Sequence, residues 1–399
     1  MQELSKDQPL PTRSAFDDWR SLSISLYMTL VGYGVLVGIP VISTAWVELL
    51  GFSEEQVGRV AGADLGGLAL GAVITSMFIG HVNRRLLMAI GAGLAILANG
   101  LCTIYVEYDV VLWLRVIAGI GSGVYTATAV ANLGASSRPA VAYNMMLFAF
   151  AFSQALEMQV LPSLSMNGIY YVFIGCFALS LGFIHWIPRY PHKAPDPLYP
   201  EHHAVPVKVP RFVPWLVLGA IFLTYINIGS YWTYIELASL DAGIDNDYTG
   251  RILVWASISS IVGCLVATVI SNRFGLARPL MLALVCMATV VALLSFGITD
   301  LSILVSVLGF NLLWIFIDVY QMATVANVDQ AGSFASLMPG AQGLGQIVGP
   351  NIAASLLGAG LGYSAVFIMG AMAALAGLMI YSAMYIWLRK RIPALADAS

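Results

Sequence analysis

Four ionisable residues, Asp64, Arg115, Glu157 and Asp318, stand in stretches of sequence that are otherwise apolar. A guanidinium does not give up its proton and is costly in hydrocarbon, so Arg115 needs a partner carboxylate or a water-filled cavity. Carboxylates in such surroundings are natural proton carriers, because a group kept from water favours its neutral form. Counted along their runs at ~1.5 Å per residue, Asp64, Arg115 and Glu157 fall at similar depth, which predicts that the three pair. Arg115 is then expected to hold at least one carboxylate ionised and to change partner as a cavity opens. Asp318 lies near the middle of its run, with no basic residue deep in the same half's spans, and is expected to carry or relay a proton. From Leu114 to Leu133, LRVIAGIGSGVYTATAVANL, the residues Arg115, Gly119, Ser122 and Thr126 recur at helical spacing and form one stripe that reads as a cavity wall. The glycines of that stretch also suit close approach of a neighbouring helix. Its GIGSG follows no strand and lacks the spacing of a nucleotide loop.

Other polar groups share helix faces with these charges. Tyr143, Phe150, Gln154 and Glu157 form one face, and Tyr225, Gly229, Trp232 and Glu236 another. Asn311, Trp314, Asp318 and Gln321 follow, then Gln342 and Gln346. An aromatic, amide-rich lining with one arginine against several acids suits a small organic molecule with a ring or an amphipathic body. A polyanion would want several cationic clamps. Packing or an interfacial belt also accounts for Trp232 and Trp314, interhelical bonding for the glutamines, and a solvated helix end for Glu236. Cys102, Cys176, Cys264 and Cys286 lie in apolar runs without CxxC spacing and read as small buried hydrophobes. His192, His202 and His203 lie in a polar linker and read as solvated. We therefore expect no metal, no cofactor and no enzymatic activity, and without a Lys-Ser/Thr phosphate loop ATP is not the driver.

What must position these groups is a membrane bundle. The chain has 399 residues, 59% of them hydrophobic and 10% charged, and its mean hydropathy of +0.84 excludes a soluble globule. A span takes about 20 apolar residues, and the sequence supplies runs at 22–47, 57–80, 86–106, 110–133, 140–162, 168–187, 213–237, 249–271, 278–298, 301–327, 333–357 and 362–388. The predicted organisation is a tail (1–21), six spans (22–187), a linker with seven prolines (188–212), six spans (213–388) and a second tail (389–399). The N-terminal stretch has no apolar core with a cleavage site, so it does not read as a signal peptide. With the N-terminus in the cytoplasm, fifteen of eighteen basic residues fall inside, while Arg59 and Arg251 fall outside. Both termini are thus expected in the cytoplasm and the chain in an inner membrane, with lipid as its surroundings and no nucleic-acid surface.

The two halves repeat. Gly58-Arg59 and Gly71 match Gly250-Arg251 and Gly263, Tyr125 with Val130-Ala131-Asn132 matches Tyr320 with Val325-Ala326-Asn327, and Val172-Phe173-Ile174 matches Val366-Phe367-Ile368. The offsets of 192, 195 and 194 are nearly constant and fall on corresponding spans. This argues for two six-helix halves related by an axis along the membrane normal.

With twelve spans, a proline-rich linker and this repeat, the chain resembles a major facilitator superfamily transporter over essentially its full length. LRVIAGIGSG, from Leu114, resembles the arginine and glycine run of the family's fourth helix. SNRFGLARPL, from Ser271, resembles the loop between helices eight and nine, with Arg273, Gly275, Arg278 and Pro279 in place. The matching first-half loop, GHVNRRLL from Gly80, has Asn83 where the family carries an acid. GLGQIVGPNIAASLLG, from Gly343, resembles the glycine-proline motif that marks antiporters when it lies on the fifth helix, and here it lies on the eleventh. The resemblance implies an all-α fold of twelve transmembrane helices, a binding path between the halves, and gating or hinge roles for Gly119, Gly123, Gly345, Gly349, Pro350, Arg273 and Gly275. It implies a secondary active transporter that moves a small molecule with protons by alternating access, acting as a monomer. Uptake is slightly favoured because span five lacks the antiporter motif. Efflux of drugs or metabolites by proton antiport is the alternative, and a channel or a non-transporting sensor is the reading from another class.

Overall fold

The structure, a computed structural model, describes residues 15–136, 139–189, 210, 212–328 and 337–391. Most of both tails and of the linker, with His192, His202 and His203, lie outside the described residues. The elements are helical throughout. The first span is two helices, α1 (Trp19–Gly32) and α2 (Gly34–Leu50), parted at Tyr33. Then come α3 (Glu54–Phe78), α4 (Arg84–Cys102), α5 (Tyr108–Gly134), α6 (Pro139–Val160) and α7 (Met166–Leu181). The second half contains α8 (Phe212–Asp241), α9 (Asn246–Phe274), α10 (Ala277–Ala292), α11 (Asp300–Val328), α12 (Met338–Gly358) and α13 (Gly362–Arg391). Among the described residues, ten helical spans are long and apolar enough to cross a membrane. The other two expected spans are present but atypical. The helix of α7 stops after 16 residues, and α12 interleaves Gln342, Gln346 and Asn351 with its apolar residues.

Helix ends follow local chemistry. Ser53 and Gln56 cap α3 reciprocally, and Asp245 accepts from the Tyr248 N–H to cap α9. Asn83 accepts from the Arg85 N–H at the start of α4, so the residue that departs from the expected acid works as a cap. Gly275 ends α9 with φ +69°, a conformation that favours glycine.

The halves are held together internally by bare backbone. Gly119 and Gly123 of α5 lie against the carbonyls of Asp64 and Leu68 on α3, while Gly67 and Gly71 of α3 lie against the carbonyls of Val116 and Ile120 on α5. Gly263 of α9 meets the Leu312 carbonyl of α11 in the same way, so the Gly71 and Gly263 repeat is a repeat of one contact. On α12, Gly345 and Gly349 lie against the carbonyls of Phe222 and Ile226 on α8. In this state these glycines are contact surfaces and not bends. A side chain here would have to displace backbone, so Gly119→Val is expected to cost about 3 kcal/mol or more and to lower the thermal midpoint and yield of purified protein. The breaks in helical regularity lie elsewhere, at Tyr33 and at Pro40 and Pro350 inside α2 and α12.

The stripe expected to wall a cavity instead lies within the first half. Gly119 faces α3, Thr126 packs on Gly32 of α1, and Arg115, Ser122 and Thr126 are all buried. The glycine spacing that made the stripe legible brings α3 and α1 so close to α5 that no space remains along it.

Candidate transport site

Arg115 sits among α3, α4 and α7. Its Nε donates to Asp64 Oδ2 at 2.7 Å, its Nη2 bonds to the same oxygen, and its Nη1 donates to Asn99 Oδ1 at 2.7 Å. Asn99 passes the chain on, donating to the Ala95 carbonyl. The guanidinium lies 5.9 Å from the Tyr170 ring centroid, and the Tyr170 hydroxyl accepts from Trp46 Nε1 at 3.2 Å. Arg115 and Asp64 are each 2% exposed. The pair is therefore a buried, hydrogen-bonded centre inside one half.

Glu157 does not join it. Its Oε1 accepts from Ser153 Oγ at 2.9 Å, its Oε2 is buried without a hydrogen-bond partner, and its carboxyl lies against Gly34 and Gly38 of α2. Similar depth placed the three together in the sequence reading. The helix faces separate them, because Arg115 points into the α3, α4 and α7 side of its half while Glu157 points at α2.

The second half builds a different centre. Tyr225 on α8 donates to Asp318 on α11 at 2.8 and 2.9 Å, and Gln342 Nε2 on α12 donates to the Tyr225 hydroxyl at 2.9 Å. Three helices thus meet at one phenol. Tyr225 is buried, while Asp318 and Gln342 keep partial exposure. The basic residues of this half's helices, Arg251, Arg273, Arg278 and Arg389 to Arg391, all lie within the first or last two turns, so Asp318 has a phenol where Asp64 has a cation. One turn along α11 from Asp318, Gln321 donates to Thr224 Oγ1 at 3.1 Å.

Among the described residues, bonds between the halves run from mid-depth to the face opposite the termini. Gln154 Nε2 donates to Asn311 Oδ1 at 3.2 Å, linking α6 to α11. Trp232 Nε1 donates to the Leu36 carbonyl at 3.1 Å, linking α8 to α2. Nearer the face, Tyr234 donates to the Glu54 carbonyl at 2.7 Å, and Arg59 donates to Asn351 and Ser355 of α12. The bare backbone of α3 fits this seam, with Gly58, Gly62 and Gly66 lying against Pro350, Asn351 and Ile347. Trp232 stacks on Phe310 at 6.1 Å and meets Trp314 edge-on at 6.0 Å, so an aromatic wall leads down α11 toward Asp318.

Of the expected lining, Tyr225, Asp318 and Gln342 meet at one phenol, Gln154 meets Asn311 and Trp232 meets Trp314, while Gln321 bonds to Thr224 and Gln346 is buried against Gly229 of α8. Glu236 is not a solvated helix end. It is 2% exposed, one turn beyond Trp232, with Oε2 lacking a hydrogen-bond partner. The side chains of Tyr143 and Arg273 lie outside the described residues. Asn99, Phe310 and Arg59 were not singled out. Asn99 had a legible signal as the lone amide within an apolar span, and Arg59 had one as an exception to the charge pattern. Phe310 had none.

Residues 21–350 match the family described as the Major Facilitator Superfamily. Among solved structures, the chain superposes on a crystal structure of the nucleoside transporter NupG with TM-score 0.69 at 12% identity, covering 91% of this chain and 99% of that one. It superposes on a crystal structure of a D-xylose-proton symporter with TM-score 0.71 at 17% identity, covering 91% and 97%. A search of curated protein sequences finds no match. The fold, the repeat and the family match agree, and the chain belongs to the major facilitator superfamily as a multi-pass secondary transporter, not an enzyme.

Proposed function

We propose that this transporter couples the inward movement of a small neutral, ring-bearing solute to protons across an inner membrane, working as a monomer by alternating access. The observation that carries this reading is the junction of Asp318, Tyr225 and Gln342. A carboxyl group with partial exposure, held by a phenol and away from cations, is placed to exchange a proton, and the phenol and amide beside it are placed to answer a solute hydroxyl. The aromatic wall of Trp232, Phe310 and Trp314 offers ring faces, and the amides Gln154 and Asn311 offer donors and acceptors. Glu157, with one carboxyl oxygen unpartnered against α2, is the second proton-carrying candidate. Among solved structures of this fold, one is a nucleoside transporter and one a D-xylose-proton symporter. A sugar or nucleoside, which joins a ring to several hydroxyls, is accordingly the first class to test.

In the proposed orientation the tails 1–21 and 389–399 and the linker 188–212 are cytoplasmic, and the helix blocks 22–187 and 213–388 are the two moving halves. The bonds from mid-depth outward then describe a state closed to the exterior. Gly345, Gly349 and Pro350 on one side, Gly119 and Gly123 on the other, and the loop with Arg273 and Gly275 are the proposed gating positions. Single cysteines at Asn167 and Lys193 should label from opposite sides. Labelling of Lys193→Cys from outside intact cells would reverse the orientation.

The test of function is transport in proteoliposomes with D-xylose, a nucleoside and an aromatic amine as probes. Accumulation of one probe down an imposed inward proton gradient, abolished by a protonophore, is the expected outcome. Movement of solute against the proton flow would put antiport efflux in its place.

A further inference from the structure

Pro40 lies inside α2 and has no amide hydrogen, so the helix cannot supply the Leu36 carbonyl with its usual donor four residues on. A carbonyl left without a donor inside a membrane costs free energy until another group provides a hydrogen. Here that group comes from the other half of the molecule. Trp232 Nε1 lies 3.1 Å from the Leu36 oxygen and 3.3 Å from the Val37 oxygen.

The indole is equally constrained. It is 1% exposed, has a single N–H to place, and stacks on Phe310 with an interplanar angle of 7°. On its opposite face α2 is committed to its own half, with Gly34 and Gly38 against Phe173 and Glu157. An acceptor lacking its ladder partner in one half and a donor buried in the other therefore meet in one bond at the seam.

We propose that the Leu36 carbonyl, freed by Pro40, and the Trp232 indole form a latch between the halves, made when the face opposite the termini is closed and broken whenever it opens. The latch requires alternating access but neither the solute nor the proton coupling proposed above. Opening lets water satisfy both groups, so the latch contributes the net value of one hydrogen bond, enough for about a tenfold change in the ratio of closed to open protein. It also ties that ratio to the solute path. Phe310 and Trp314, which pack on Trp232, lie two turns and one turn before Asp318 on the same helix, so withdrawal of the indole disturbs the wall leading to it.

Hydrogen exchange across residues 34–50, measured on the purified full chain in detergent without solute, reads opening at this face. Trp232→Phe removes the donor, and the sulfur analogue of tryptophan, benzothienylalanine, incorporated at position 232 removes it while keeping the size of the ring. Each should raise exchange about tenfold. Pro40→Ala restores a ladder donor to Leu36, and in that background the same two changes should raise exchange less than threefold. Equal increases in both backgrounds would assign the effect to the ring and overturn the latch, as would an unchanged exchange rate with the sulfur analogue. Since no transport is measured, an error in the assigned solute or in proton coupling leaves this result standing.

Discussion

Asp318→Asn is expected to bring accumulation driven by a pH gradient down to simple equilibration while leaving solute counterflow within about twofold of the unsubstituted protein. The reasoning is chemical. Asparagine keeps the size of the side chain and an oxygen that accepts from Tyr225, so the meeting of α8, α11 and α12 at the phenol survives. What it loses is the ability to take up and release a proton. Counterflow needs only binding and alternation between the two faces, whereas accumulation needs the proton. In a half without an interior lysine or arginine, no neighbouring cation compensates for the change. Full accumulation by the variant would remove Asp318 from the coupling step and leave Glu157 as the carboxyl to test next. Loss of counterflow together with accumulation would make Asp318 a solute ligand.

How these centres could be read from sequence differs between the halves for a physical reason. Helical periodicity and apolar length are local properties, and among the described residues they place the spans within a few residues, apart from the early ends of α7 and α10 and the break at Tyr33. Depth along a helix is also local, and it matched Asp64 to Arg115 correctly. The azimuth of each helix is set by neighbours that the sequence does not name, and this is where Glu157 was misplaced. Glycine runs are ambiguous for the same reason. Gly119 and Gly123 fit a cavity wall or a helix contact equally well as sequence, and only the carbonyls of Asp64 and Leu68 opposite them decide. Tyr225 and Gln342 were legible as polar residues in apolar spans, but not as partners, since 117 residues separate them. The role of Asn83 as a cap followed a rule available from sequence, an Asn just before a helical run.

The pair of Arg115 and Asp64 predicts the largest loss of folded protein. Arg115→Gln would leave the Asp64 carboxylate 2% exposed without its cation, and Asp64→Asn would leave the guanidinium in the same position. Removing one partner of such a pair costs about 3–5 kcal/mol, a large share of the roughly 5–15 kcal/mol that holds a typical domain folded. Each single variant should therefore yield little monodisperse protein. The double variant, with Arg115→Gln and Asp64→Asn together, carries no buried charge at this site, and its side-chain amides can bond to each other and to Asn99. It is expected to recover most of the folded yield, so the two losses should be strongly non-additive. Glu157→Gln provides the contrast. Glu157 bonds to Ser153 and faces α2, so its effect should add to that of Arg115→Gln within about 0.5 kcal/mol. A partner-switching mechanism predicts the reverse, with coupling between Arg115 and Glu157, folded single variants and an altered pH dependence of transport. The bonding of both Arg115 and Asp64 within one half favours the static pair. In the proposed alternating-access cycle its members are expected to stay together when the halves separate, because the elements that hold them, α3, α4 and α5, belong to the same half.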